Sequence, residues 1–202
     1  MPTTIATIRA RIRRDLKDPD SARWSDDDLD RHIEHAVRDI SLAAPLRARA
    51  EGLSFPDPAS RQVDISGLSG LIAVRYVEYP VGEFPRRYRH WNVWDQTLEV
   101  EAGTLPTAGD SLYVYYDKMH SVDSEGSTLG PELEEVCAVG AEGYAAIEWG
   151  AYSVNKVNIG GRPTPQEFTA WGQDRLERFR EELKRLRRRQ SRWGRFYTED
   201  TT

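Results

Sequence analysis

The 202-residue chain has a single cysteine, Cys137, so no internal disulfide framework is possible. That fits synthesis in a reducing cytoplasm. Long apolar runs are missing too. No stretch approaches the roughly 20 apolar residues that span a bilayer. The opening Met1-Pro2-Thr3-Thr4-Ile5 lacks the apolar run of an export signal. A soluble protein with no membrane partner is the expectation. There is no glycine-rich phosphate loop and no dinucleotide-binding fingerprint. Gly67-Leu68-Ser69-Gly70-Leu71 fails as a nucleophile elbow, because Leu71 stands where the second glycine is needed. It reads instead as a turn between strands. An excess of positive charge is lacking as well. The net charge of −5 argues against a dedicated duplex-gripping protein, which must neutralise phosphates.

What is present has a clear order. Ile5, Ile8, Ile12 and Leu16 recur at helical spacing, with Arg9, Arg11, Arg13 and Arg14 filling much of the other face, and Asp18-Pro19-Asp20 ends the segment. Ser25 before Asp26-Asp27-Asp28 is a helix N-cap with acids in the first turn. Trp24 and Leu29 have the spacing of a hydrophobic staple, and Leu29, Ile33, Val37 and Ile40 continue the apolar face until Pro45. From about residue 50 to 120 the helical period disappears. Short β-branched and aromatic runs alternate with turn residues, which predicts strands near 62–65, 72–79, 87–91, 97–100 and 112–116. Helix returns at Pro131, with Glu132, Glu134 and Glu135 in its first turn. This segment is rich in alanine and glycine. Each glycine costs a helix about 1 kcal/mol relative to alanine, so their number predicts close backbone packing. Thr164-Pro165-Gln166-Glu167 reads as a capping box opening a last helix, and Phe168, Trp171, Gly172, Leu176, Phe179, Leu183 and Leu186 hold its period.

The fold class expected is α+β. A four-helix bundle-like core takes two helices from residues 1–49 and two from 121–190, a small antiparallel sandwich or barrel spans 50–120, and 191–202 is an extended tail.

Candidate chemistry is sparse. His32 and His35 lie three apart, with Asp28 and Asp39 nearby, but the spacing is not that of a helical zinc motif and defines no further ligand. They read as a solvated or subunit-facing polar stripe. His90 and His120 stand alone, as surface or packing residues, and Cys137 reads as a small buried hydrophobe. No catalytic residue, metal or cofactor is expected. Tyr88, Trp91, Trp94, Tyr113, Tyr115 and Tyr116, with Arg86, Arg87 and Arg89, could form a stacking surface for single strands. The favoured reading makes these aromatics the core of the β module. Residues 175–195 carry ten basic side chains, Arg175, Arg178, Arg180, Lys184, Arg185, Arg187, Arg188, Arg189, Arg192 and Arg195, against Glu177, Glu181 and Glu182. With Trp193, Phe196 and Tyr197 this is the composition of a protein-docking segment.

Several stretches resemble the head-tail adaptor (connector) proteins of tailed bacteriophages and related gene-transfer particles. They are Trp24 to Ile33, Val77-Glu78-Tyr79-Pro80 with Val93-Trp94, Gly143 to Trp149, and Trp171 to Leu176. The resemblance implies a structural virion protein rather than an enzyme. It would be made in the host cytoplasm and sit in the neck between capsid and tail. It would form a ring, commonly of twelve subunits, that binds the portal protein, links to a stopper or tail-completion protein, and encloses a channel for double-stranded DNA without sequence-specific binding. Portal binding would fall to Arg185, Arg187, Arg188, Arg189, Arg192, Trp193, Arg195, Phe196 and Tyr197. Packing within and between subunits would use Gly140, Gly143, Tyr144, Trp149 and Trp171. Two other readings remain. One is a nucleic-acid-binding module using the basic tail, with affinity that falls steeply with salt. The other is a hydrolase using His32, His35 and nearby acids.

Overall fold

A computed structural model describes residues 3–103, 105–153 and 165–193, without the side chains of 191–193. The elements follow the chain as α1 (Ile5–Asp15), α2 (Asp26–Ala43), β1 (Leu46–Ser54), β2 (Gln62–Asp64), β3 (Leu71–Glu78), β4 (Tyr88–Arg89), β5 (Trp91–Trp94), β6 (Thr97–Val100), β7 (Ser111–Lys118), α3 (Pro131–Ser153) and α4 (Pro165–Trp193). This is an α+β fold with the sheets inserted between the second and third helices. The chain divides into a helical unit, up to Ala44 and from His120 onwards, and a β unit from Pro45 to Met119. No helix among the described residues is long and apolar enough to cross a membrane.

In the helical unit, α3 touches each of the other three helices. A helix surrounded in this way has little room for side chains, which accounts for its alanines and glycines. Ala138, Ala141, Ala145 and Ala146 are essentially solvent-free. The α2 start forms as the sequence predicts. Ser25 Oγ accepts from the Asp28 amide at 3.1 Å, and Asp28 Oδ2 accepts from the Ser25 amide at 3.1 Å. Ser25→Ala should therefore lower stability by about 1 kcal/mol, read as a shift of the urea midpoint; an unchanged midpoint would show the cap to be energetically silent. Trp24 and Leu29 are both buried, and Trp24 Nε1 donates to the Ala145 carbonyl at 3.1 Å.

One arginine departs from the expected solvent face of α1. Arg13 is buried and donates to the Trp24 carbonyl at 2.9 Å and to Asp26 at 2.6 Å, with buried Asp18 at 3.4 Å. Asp18 in turn accepts from the backbone amides of Ala22, Arg23 and Trp24. The α1–α2 corner is thus folded around an ion pair whose remaining valences go to backbone, the condition under which a buried charge is tolerated.

The β unit stacks a four-stranded sheet, in the order β1-β7-β3-β4, on a three-stranded sheet, β2-β6-β5, all antiparallel. Two features correct the sequence reading. The first is β1, absent from the predicted strands and partly assigned to the helical segment. The second is the core, which is mostly aliphatic. Val63, Ile65, Val74, Val77, Leu98, Val100, Leu112 and Val114 fill it with Phe55, Tyr79 and Tyr116. Trp91 only packs on its margin, and Tyr88, Tyr113 and Tyr115 are half-buried. Trp94 is 70% exposed. The expected segment 87–91 is also two strands in different sheets, parted at exposed His90. Gly67 to Gly70 is the turn between β2 and β3, and Gly70, at φ +68°, supplies its left-handed corner.

Candidate functional site

The helical unit offers the most developed candidate, the long helix α4. Its apolar stripe is Gly172, Leu176, Phe179, Leu183 and Leu186, all buried, and it lies along α3. Glycines set the approach. A Cβ at Gly140 would meet the Phe179 ring at 2.9 Å, and one at Gly172 would meet the Gly143 carbonyl oxygen at 3.0 Å. Fixing this stripe inward fixes the opposite face outward. That face carries Arg185, Arg187, Arg188 and Arg189, all exposed. Arg185 pairs with Glu182 at 2.6 Å, and Arg189 with Glu132 of α3 at 3.2 Å. Beyond Glu182 the described helix has no acid, while Lys184 and the arginines at 185, 187, 188, 189 and 192 follow one another. Cations at a helix C-terminus suit the dipole, but so many exceed what one helix end can use.

Arg192 and Trp193 belong to the helix by backbone, with side chains outside the described set, and Arg195, Phe196 and Tyr197 lie outside the described residues, as does Thr164 of the expected capping box. Gly140 and Gly143 face α4 within the chain. The Tyr144 hydroxyl donates to Asp39 at 2.6 Å, its ring stacks on His35 at 4.1 Å, and burial pushes the phenol above its ordinary range. Trp149 packs against Trp24 at 5.5 Å. Trp171 is half-buried, with the Arg175 guanidinium over its ring at 4.8 Å.

The histidine pair is split: His35 is exposed, as a polar stripe requires, and His32 is not. His32 is buried, its Nε2 2.9 Å from Glu148 Oε2 without hydrogen-bond alignment, and desolvation lowers its pKa. His35 is committed to the Tyr144 ring, Asp39 to the Tyr144 hydroxyl and Asp28 to the α2 cap. His35 and Asp39 thus both serve Tyr144, while His32 and Asp28 are engaged elsewhere. Among the described residues no three His, Cys, Asp or Glu side chains are grouped to hold a metal. Cys137 is fully buried, its thiol pushed up to about 12 by desolvation. His120 is a packing residue, its Nε2 3.0 Å from the Ala44 carbonyl and its backbone amide donating to Ser41.

One ionisable centre was not anticipated. Glu142, on α3, is 1% exposed, and burial and a hydrogen bond with Asp15 raise its pKa to about 8. Its Oε2 lies 3.3 Å from Arg175 Nε, an ion-pair distance without hydrogen-bond geometry. In sequence Glu142 is one glutamate on a small-residue helix, and nothing there brings it to α1 and α4.

No family model matches the chain, and no curated protein matches it. A solved structure that is similar is a chain in the neck of an empty gene transfer agent particle, computed with C6 symmetry. It is 14% identical, with a TM-score of 0.29, over 84% of this chain and 88% of that one. A TM-score of that size marks a loose likeness.

Proposed function

We propose that the protein is a structural component of a phage-like particle neck, a ring-forming head-tail adaptor. It docks on a portal through the basic end of α4 and the residues after it, joins that portal to a stopper or tail-completion protein, and surrounds a channel through which duplex DNA passes. The observation that carries this reading is the fixed polarity of α4. Its apolar stripe is consumed by α3, and the exposed remainder ends in an acid-free run of cations leading to Trp193, Phe196 and Tyr197. Arginine with aromatics is the composition of interface anchors. The motif order shared with adaptors supports the same assignment.

The test is capture by assembled portal rings of the particle proposed to carry this chain. Full-length protein should be retained, and a version ending at Lys184 should be lost. Leu186 is buried in the bundle, so truncation also removes packing. A full-length chain with Arg185, Arg187 and Arg188 changed to glutamate separates the two effects, and it should lose capture while keeping its helix content. Retention of the charge-reversed chain at the level of the parent would refute docking through this surface. The basic helix also favours a second reading, duplex DNA binding. That reading requires affinity that falls steeply between low and physiological salt, with no capture by the portal.

A further inference from the structure

The edges of the two sheets are unequal. β4 has two residues, β2 three and β5 four. Strands that short offer little backbone for further pairing, which is one way proteins blunt an edge. β1 has nine, and among the described residues it pairs with β7 alone. Alternate residues of such a strand turn their amides and carbonyls away from the sheet. The other blunting devices are weak here. No proline lies between Leu46 and Ser54. The register breaks only after Ala50, so Leu46 to Ala50 stays regular. Along that run the inward side chains carry no charge, and Ala48 and Ala50 pack on the core while remaining half-buried.

The outer face beside this edge displays guanidinium groups. Arg49 projects from β1 itself, held 4.9 Å from the centre of the Tyr113 ring. Arg75 and Arg86 have 58% and 54% of their side chains exposed. The acids beneath them hardly reach the surface, Asp117 at 1% and Glu78 at 3%. Glu51 is exposed and pairs with Arg49, one surface acid against three arginines. A guanidinium held outward by ring packing is pre-organised for a carboxylate.

We infer that β1 is a docking edge whose occupant is an extended segment of a partner protein, with acidic and apolar residues in alternation. The backbone of that segment continues the ladder, as in strand addition to an open sheet. Its acids stand beside Arg49 on the outer face, where directly opposed Cβ atoms are about 4.5–5.5 Å apart. Its apolar residues extend the core past Ala48 and Ala50. This edge is distinct from the exposed face of α4, and its occupancy is independent of portal docking.

The test titrates the full-length protein with a fluorescent eight-residue peptide of alternating glutamate and valine. Binding should saturate below about 1 mM and slow hydrogen exchange of those amides within Leu46–Ala50 that face away from β7. A peptide with lysine for glutamate, or with proline at its two central valines, should bind at least about tenfold more weakly, through like charge in the first case and lost ladder donors in the second. Arg49→Glu should invert the preference toward the lysine peptide, a result that loss of folding cannot imitate. Equal binding of the glutamate and lysine peptides, protection that maps outside β1, or no binding at millimolar peptide would overturn the proposal. Slow exchange of the same amides without peptide would overturn it too, assigning the edge to a second copy if it requires concentrated protein and to the chain's own residues if it does not.

Discussion

Gly143→Val should destabilise the helical unit by about 3 kcal/mol or more, at the upper end of what overpacking a core costs. A Cβ at position 143 would lie 2.7 Å from Leu176 Cδ2 and 3.1 Å from the Gly172 carbonyl oxygen. The first neighbour is itself buried, and the second is backbone, so neither has space to retreat into. Gly172 presses back from the other helix, where a Cβ would lie 2.9 Å from Ile147 and 3.1 Å from the Ala146 methyl. The two glycines set the distance between α3 and α4. Valine adds two γ-carbons to a site without room for one β-carbon, and its branching disfavours the helix. Gly143→Ala should be milder, because alanine recovers roughly 0.5–1 kcal/mol of helix propensity against the clash. Urea unfolding followed by helix ellipticity gives both values. A valine variant within 0.5 kcal/mol of the parent, inside the usual range for surface changes, would show that the helices part without cost.

That crossing was legible in the sequence as a surplus of small residues, but its partner was not. Glycine content says that something comes close. Only the fold says that Gly143 meets Gly172 and Leu176 in the same chain, so these glycines are occupied before any neighbouring subunit arrives. The cap at Ser25 was legible in full because its chemistry spans four residues. The β unit was harder to read. β1 runs Leu46-Arg47-Ala48-Arg49-Ala50, a true alternation written in alanine, which has little strand preference. It is an edge strand, and its register breaks between Ala50 and Leu53 near Gly52, where φ is +81°. In β3 a register shift between Val74 and Tyr76 lets Val74 and Val77 both face the core. A strict period of two puts those valines on opposite faces, and the sequence reading fills the core with strand aromatics on propensity alone. The outer face of the four-stranded sheet instead carries Tyr113 and Tyr115, with the Arg49 guanidinium over both rings, and the Tyr115 hydroxyl on Glu78. These rings are already covered by a guanidinium, which weakens their reading as a platform for bases.

Glu142→Gln should flatten a fall in stability that the parent protein shows as pH rises. The Glu142 carboxyl is pushed from 4.5 to about 8, first by burial and then by its hydrogen bond with Asp15, while Arg175 and Arg11 pull the other way. A raised pKa means that the folded state holds the proton more tightly than the unfolded chain. The stabilisation is therefore complete below pH 4.5 and is lost progressively as pH rises to about 8. Each tenfold difference in proton affinity between the folded and unfolded chain is worth about 1.36 kcal/mol, so the loss has a ceiling on the order of 4–5 kcal/mol. Glutamine keeps the shape and a donor for Asp15 and has no proton to lose. Parent and variant should match near pH 4, diverge progressively between about pH 4.5 and 8, and stay apart above that, the variant being the more stable by roughly 3 kcal/mol or more at pH 9. Buried His32 works in the opposite direction, since its lowered pKa costs stability as pH falls below 6.5, but it is present in both proteins and cancels in their difference. Urea midpoints at pH 5, 7 and 9 decide the matter. Parallel pH profiles for parent and variant would mean that Arg175 keeps Glu142 ionised throughout, and that the junction of α1, α3 and α4 is held by an ion pair rather than by a shared proton.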